Sequence, residues 1–177
     1  MGRALGGTSV SHPVIEERPA AHGDALNVVR AAIAEAAGPG AAVQRVVDLL
    51  HDRFPPYDWV GIYWVDGSNL VLGPWTGPEA TDHTRIPIGT GVCGAAAASG
   101  QTEIVADVEA DPRYLACFAS TKSEIVVPIF DGGAVIGEID VDGSDLGAFD
   151  DADARFLEEV AALLAPLRPR TSADRRS

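Results

Sequence analysis

The chain has 177 residues, with 26 acidic against 13 basic side chains and a net charge of −13. This length fits one domain with tails, and an apolar fraction of 46% is enough to fill its core. The acidic excess argues against nucleic acid and anionic membranes as partners, since both are polyanions. Two cysteines are too few for a disulfide-built scaffold or a four-thiolate zinc site, and enough for one reversible disulfide.

Residues 1–23, rich in Gly, Ser, Pro and His, show no period and read as a disordered tail. The first residues lack the apolar run of a signal peptide, and no stretch approaches the roughly 20 apolar residues of a membrane span. The expected location is the cytoplasm, where thiols are kept reduced.

Residues 24–37 place Leu26, Val29, Ile33 and Ala37 on one helical face, and Gly38-Pro39-Gly40 stops that helix. A second helix over about 41–53 aligns Val43, Val46, Val47 and Leu50 before Pro55-Pro56 ends it. The period then switches to two. Trp59–Val65 and Asn69–Leu72 flank the turn signal Asp66-Gly67-Ser68. Thr84–Ile88 reads as extended, Gly91–Ser99 as a short alanine-rich helix, and Glu103–Val105 as a strand. Ile125–Phe130 and Ala134–Val141 flank a second hairpin turn, Asp131-Gly132-Gly133. Asp150–Leu167 is a closing amphipathic helix, and residues 168–177 form an Arg-rich tail. This order predicts an α+β domain over residues 24–167, with a central antiparallel sheet and the N- and C-terminal helices on one face.

Several short pieces recur in a telling order: Trp59-Val-Gly-Ile-Tyr63, Leu72-Gly-Pro-Trp75, Arg85-Ile-Pro-Ile-Gly-Thr-Gly-Val-Cys93-Gly, Cys117, Ser123-Glu-Ile-Val-Val-Pro128 and Ile136-Gly-Glu-Ile-Asp-Val-Asp142. Together they resemble the small stand-alone GAF-domain proteins and, within those, the free methionine-(R)-sulfoxide reductases. The resemblance implies a single GAF domain and a thiol chemistry. A thiolate resembling Cys117 attacks the sulfoxide sulfur, methionine leaves, and a sulfenic acid remains. A second thiol, at the position of Cys93, condenses with it to a disulfide that a thioredoxin-like reductant reopens. No metal or organic cofactor is implied, and the linear sequence shows no clustered metal-ligand spacing. A homodimer is common among such relatives, with the N-terminal helices as candidate interface elements.

The resemblance also implies substrate-binding roles for Glu124, Asp140, Asp142, Trp59 and Tyr63. The carboxylates would hold the ammonium of a small zwitterion and help protonate the sulfoxide oxygen, while the aromatic pair would wall the pocket. Three crowded carboxylates should raise at least one pKa. Read by themselves, the same residues admit plainer roles. Asp140 and Asp142, at i and i+2, mark only a polar strand face. Trp59 and Tyr63 suit a core, Glu124 suits a strand start, and Cys93 suits inert packing.

Three positions depart from the family pattern. His83 stands where relatives carry a resolving cysteine, Phe118 follows Cys117 where an acid is common, and Glu138 occupies a normally apolar strand position on the Asp140 and Asp142 face. Two readings follow. One is thiol-dependent reduction of free L-methionine (R)-S-oxide. The other is a non-catalytic GAF module that senses a small metabolite or redox state.

Overall fold

The computed structural model describes residues 18–169, with side chains from residue 21 onward. Helices α1 (Arg18–Ala34) and α2 (Pro39–Arg53) lead into strands β1 (Trp59–Asp66) and β2 (Asn69–Thr76). Strand β3 (Arg85–Pro87), helix α3 (Gly91–Ser99) and strand β4 (Glu103–Val105) follow. The hairpin β5 (Ser123–Asp131) and β6 (Ala134–Gly143) precedes helix α4 (Asp151–Leu164). Short 3-10 turns at Val108–Ala110 and Ala165–Leu167 complete the order.

The six strands form one antiparallel sheet in the order β3-β2-β1-β6-β5-β4. Period-two alternation gives the sheet two different faces. Val60, Ile62, Ile125, Val127, Ile139 and Val141 point to one face and meet Val29, Val46, Leu50, Leu157 and Val160 of α1, α2 and α4. Trp59, Tyr63 and Val126 point to the other, where Val92, Cys93 and Ala96 of α3 pack. The expected α+β class with terminal helices on one face is therefore what the chain adopts. Among the described residues, no helix is long and apolar enough to cross a membrane.

Element boundaries differ most from the sequence reading at α1 and β2, and by one to three residues at the ends of several others. Helix α1 begins at Arg18 rather than Asp24 and ends at Ala34, which leaves Ala37 exposed in the turn. Residues 18–23 are thus helix and not tail; the remainder of the expected N-terminal tail, and the C-terminal tail from residue 170, lie outside the described residues. Strand β2 runs on through Pro74 to Thr76, because Trp75 and Thr76 continue the ladder with Gly61 and Val60 of β1.

The extension of α1 has a physical cause. His22 is buried, stacks on Phe156 at 4.5 Å and approaches Asp153 at 3.4 Å. Asp153 accepts the Tyr57 hydroxyl at 2.9 Å and the Asp150 backbone N–H at 3.0 Å, closing a capping box at the start of α4. One carboxylate thus joins α1, the segment before β1 and α4. Asp153→Ala should cost about 2–3 kcal/mol in urea unfolding, since it removes the acceptor of the Tyr57 hydroxyl and half of the cap.

Candidate active site

The strand register builds the site. On β6, Glu138, Asp140 and Asp142 share the face turned away from the three long helices. Trp59 of β1 and Glu124 of β5 lie opposite Asp142, Gly61 and Val126 lie opposite Asp140, and Tyr63 and Pro128 lie opposite Glu138. Residues directly opposite in an antiparallel ladder point to the same side. The result is a floor three strands wide carrying four carboxyl groups and two aromatic rings. Glu138 is fully buried, and Glu124, Asp140 and Asp142 are at most 5% exposed.

Two glycines set the distances above this floor. A Cβ on Gly61 would meet the Trp59 ring at 2.2 Å, so the indole lies directly across that residue, beside Asp140. A Cβ on Gly94 would sit 2.7 Å from the Pro87 carbonyl, so α3 docks tightly on the end of β3. That docking holds Cys93 over the acids: its thiol donates to Glu124 at 3.7 Å. Facing atoms of Cys93, Glu124 and Asp140 lie within 4.8 Å of one another.

Cys117 enters from the segment between β4 and β5. It is half-buried, and its thiol donates to the Leu115 carbonyl at 3.4 Å. Both cysteines are free. His83 sits beside this segment rather than alone on the surface. Its Nε2 lies 3.2 Å from the Ala116 carbonyl, one residue before Cys117, and its own carbonyl accepts the Tyr63 hydroxyl at 2.8 Å. Phe118 leans on Trp59 at 5.8 Å, and Trp75 stacks on the same indole at 6.0 Å.

The electrostatics are one-sided. Among the described residues, no lysine, arginine or histidine forms an ion pair with any of the four acids. Among the described residues, both Glu138 oxygens, Glu124 Oε2 and Asp140 Oδ1 find no hydrogen-bond partner beyond the neighbouring Cys93 thiol. Burial, and then the neighbouring acids, push all four carboxyl groups up: Glu124 to about 8, helped by Asp142, and Glu138, Asp140 and Asp142 well above their ordinary range. The same causes push both thiols up. Burial leads, followed by Asp140 and Glu138 for Cys93 and by Asp140 and Asp142 for Cys117. The start of a helix ordinarily favours a thiolate, but that effect is at most about 2 kcal/mol and loses here to burial among acids.

The structure therefore brings all seven expected residues, Cys93, Cys117, Glu124, Asp140, Asp142, Trp59 and Tyr63, around one location. It adds groups the sequence reading did not single out. Thr121 hydrogen bonds Asp142, and Thr81 interacts with Cys117. Tyr114 lies near Asp142 and Cys117, and burial pushes its hydroxyl up to about 12. All three come from irregular segments, whose polar residues carry no period. The space between Trp59, Phe118, Thr121 and Asp142 is only about 20 Å³. A larger groove of about 360 Å³ lies between α4 and β5, bounded by Thr102, Phe130 and Glu158, and none of the seven residues lines it.

A GAF-domain family model matches residues 39–166, which include every one of these groups. The chain belongs to the GAF-domain family. This GAF domain is 39% identical over 116 residues to the free methionine-R-sulfoxide reductase of Escherichia coli, covering 66% of this chain and 69% of that protein. It is 44% identical over 125 residues to GAF domain-containing protein A of Dictyostelium discoideum, covering 70% and 77%. Among solved structures it is similar to the free methionine-R-sulfoxide reductase of Neisseria meningitidis in complex with its substrate, with a TM-score of 0.80 and 36% identity over 98% of both chains.

Two outcomes check this geometry. Gly61→Ala should lose about 1–3 kcal/mol in urea unfolding, because the Trp59 ring has to leave its place. The second is a pH dependence. A carboxyl group whose pKa is raised on folding contributes stability below its unfolded value and loses it as pH rises through the folded value. For Glu124 that window runs from its ordinary 4.5 to about 8. The melting temperature of the ligand-free protein should fall between pH 5 and pH 8, and Glu124→Gln should flatten the fall. An equally steep profile in the variant would contradict the assignment.

Proposed function

We propose that this GAF domain reduces free methionine (R)-sulfoxide to methionine, with Cys117 as the nucleophile. The observation that carries the reading is the set of four buried carboxyl groups, none of which forms an ion pair with a cationic side chain among the described residues. Such a floor calls for a positively charged guest, because an isolated buried carboxylate is costly. The ammonium of a free amino acid meets that need, whereas a residue within a peptide chain has no such group. The relatives named as free methionine-R-sulfoxide reductases support the same choice of substrate.

The step balances as follows. The ammonium sits against Glu124, Asp140 and Asp142, and the methyl-sulfur end lies against Trp59. Tyr63 braces the wall through its bond to His83. The Cys117 thiol passes its proton to a floor carboxylate, and its sulfur attacks the sulfoxide sulfur. A protonated floor carboxyl gives a proton to the sulfoxide oxygen. That oxygen passes to Cys117, leaving a sulfenic acid, and methionine departs. The raised pKa values of the floor keep such a proton available near neutral pH. Guest charge also matters for the thiol. An ammonium cancels the acidic field that adds to burial in raising the Cys117 thiol, so substrate binding favours the thiolate.

Cys93 then condenses with the sulfenic acid and releases water, and a thioredoxin-type dithiol in a reducing compartment restores both thiols. The space beside Trp59 is too small for an amino acid, so entry requires the Cys117 segment to swing outward.

A second reading has its own support. Three positions depart from the reductase pattern, and Phe118 caps Trp59 where an acid is usual. A GAF module that binds the same zwitterion without turning it over would also use the acidic floor.

Cys117→Ser should lower thioredoxin-dependent consumption of free methionine (R)-sulfoxide by more than about 10³-fold, while thermal shift by the sulfoxide persists. Cys93→Ser should leave a trappable sulfenic acid on Cys117. Full turnover in Cys117→Ser would remove the reductase reading, and thermal shift without turnover in the native chain would establish the binding module.

A further inference from the structure

The acidic floor presents a cation site that is smaller than the substrate site and does not depend on the proposed activity. We infer that Cys93, Glu124 and Asp140, with Glu138 as a fourth ligand, bind one divalent metal ion of the zinc class.

The first support is geometric. The three facing atoms, one sulfur and two carboxylate oxygens, already lie within 4.8 Å of one another. Bond lengths of about 2.3 Å to sulfur and about 2.0–2.2 Å to oxygen require these atoms to close by roughly 1 Å. Side-chain rotation supplies that much. The residues come from three rigid elements, α3, β5 and β6, rather than from the Cys117 segment.

Orphaned polar atoms supply the second, independent support. Glu138 is fully buried, and among the described residues its two oxygens find no partner beyond the neighbouring Cys93 thiol. Glu124 Oε2 and Asp140 Oδ1 are likewise unpartnered. An ammonium has three donors and one charge. A dication brings two charges and can take Glu138 as a direct ligand beside Glu124 and Asp140. An apolar residue at position 138 would remove the fourth ligand, so this binding belongs to the chain's own departure at Glu138.

The donor set selects the ion. One thiolate with carboxylates suits zinc, cobalt or nickel, while magnesium and calcium prefer oxygen ligands alone. Binding replaces the Cys93 S–H bond with a metal–sulfur bond and releases one proton to the solvent. Because Glu124 and Asp140 serve both guests, the ion and the ammonium exclude one another. A loaded protein would also hold Cys93 away from disulfide formation. This last consequence rests on the proposed function; the binding itself does not.

The test uses the full chain after treatment with a chelator. Cobalt titration should give one equivalent bound, with a thiolate-to-cobalt charge-transfer absorption in the near ultraviolet. Cys93→Ser should abolish that band. Glu138→Gln should keep the band and weaken affinity by about tenfold or more. Magnesium should not compete, and zinc should displace cobalt. Absence of the band, binding that survives Cys93→Ser within about threefold, or an unchanged affinity in Glu138→Gln would overturn the inference. If Cys93→Ser does not fold, the Glu138→Gln arm and the native band decide alone. None of these readouts involves turnover, so inactivity toward methionine sulfoxide would leave the cation site standing.

Discussion

The burial of four carboxyl groups on one face of a sheet is the constraint on which the rest of this molecule depends. Polar groups can sit there only because the opposite face carries the apolar load. The branched side chains of β1, β5 and β6 meet three helices and form the larger of the two cores. The smaller core, around Leu70, Ile86, Val92 and Ala96, surrounds the acids and seals them from water. The helix face thus supplies cohesion, and the other face can carry unfavourable electrostatics. Such a division is common where function requires a destabilised arrangement.

The acids also govern the thiols. A nucleophilic cysteine is ordinarily recognised by a lowered pKa in an electropositive setting. Here the setting is electronegative, and burial among the acids favours both thiols in their protonated form. Under the proposed function, reactivity is conditional on a guest, which would protect the thiols from indiscriminate oxidation. His83 fits this picture as a clamp. It bonds the carbonyl before Cys117 and, through Tyr63, ties that segment to β1. A residue that looks like a lost thiol in the sequence is in the structure a tether for the segment that carries Cys117.

Much of this was legible in the residues. Period-two runs located β1, β5 and β6, and alternation placed Glu138, Asp140 and Asp142 on a shared face. Their burial was not legible, because alternation cannot distinguish a solvated face from one covered by α3 and two loops. The early start of α1 was missed for a similar reason. His22 contributes nothing to an apolar period, yet its ring fills a gap beside Phe156 and reaches Asp153, some 130 residues away in the chain. Tyr114, Thr121 and Thr81 were invisible because the segments holding them have no repeating pattern. The juxtaposition of Cys93 with Glu124 and Asp140 is purely tertiary. It depends on Gly94 admitting the Pro87 carbonyl, a contact that linear spacing cannot express.

The two-sided character of β6 restricts how its sequence can drift. Ile139 and Val141 alternate with Glu138, Asp140 and Asp142, and a single inserted or deleted residue would exchange the two sets. Carboxylates would then enter the helix-covered core, while isoleucine and valine would occupy the acidic floor. Point substitutions can retune this strand one side at a time. A change in its length would remove the folded core and the site together, so homologues with working sites should vary in the composition of this strand and hardly at all in its length.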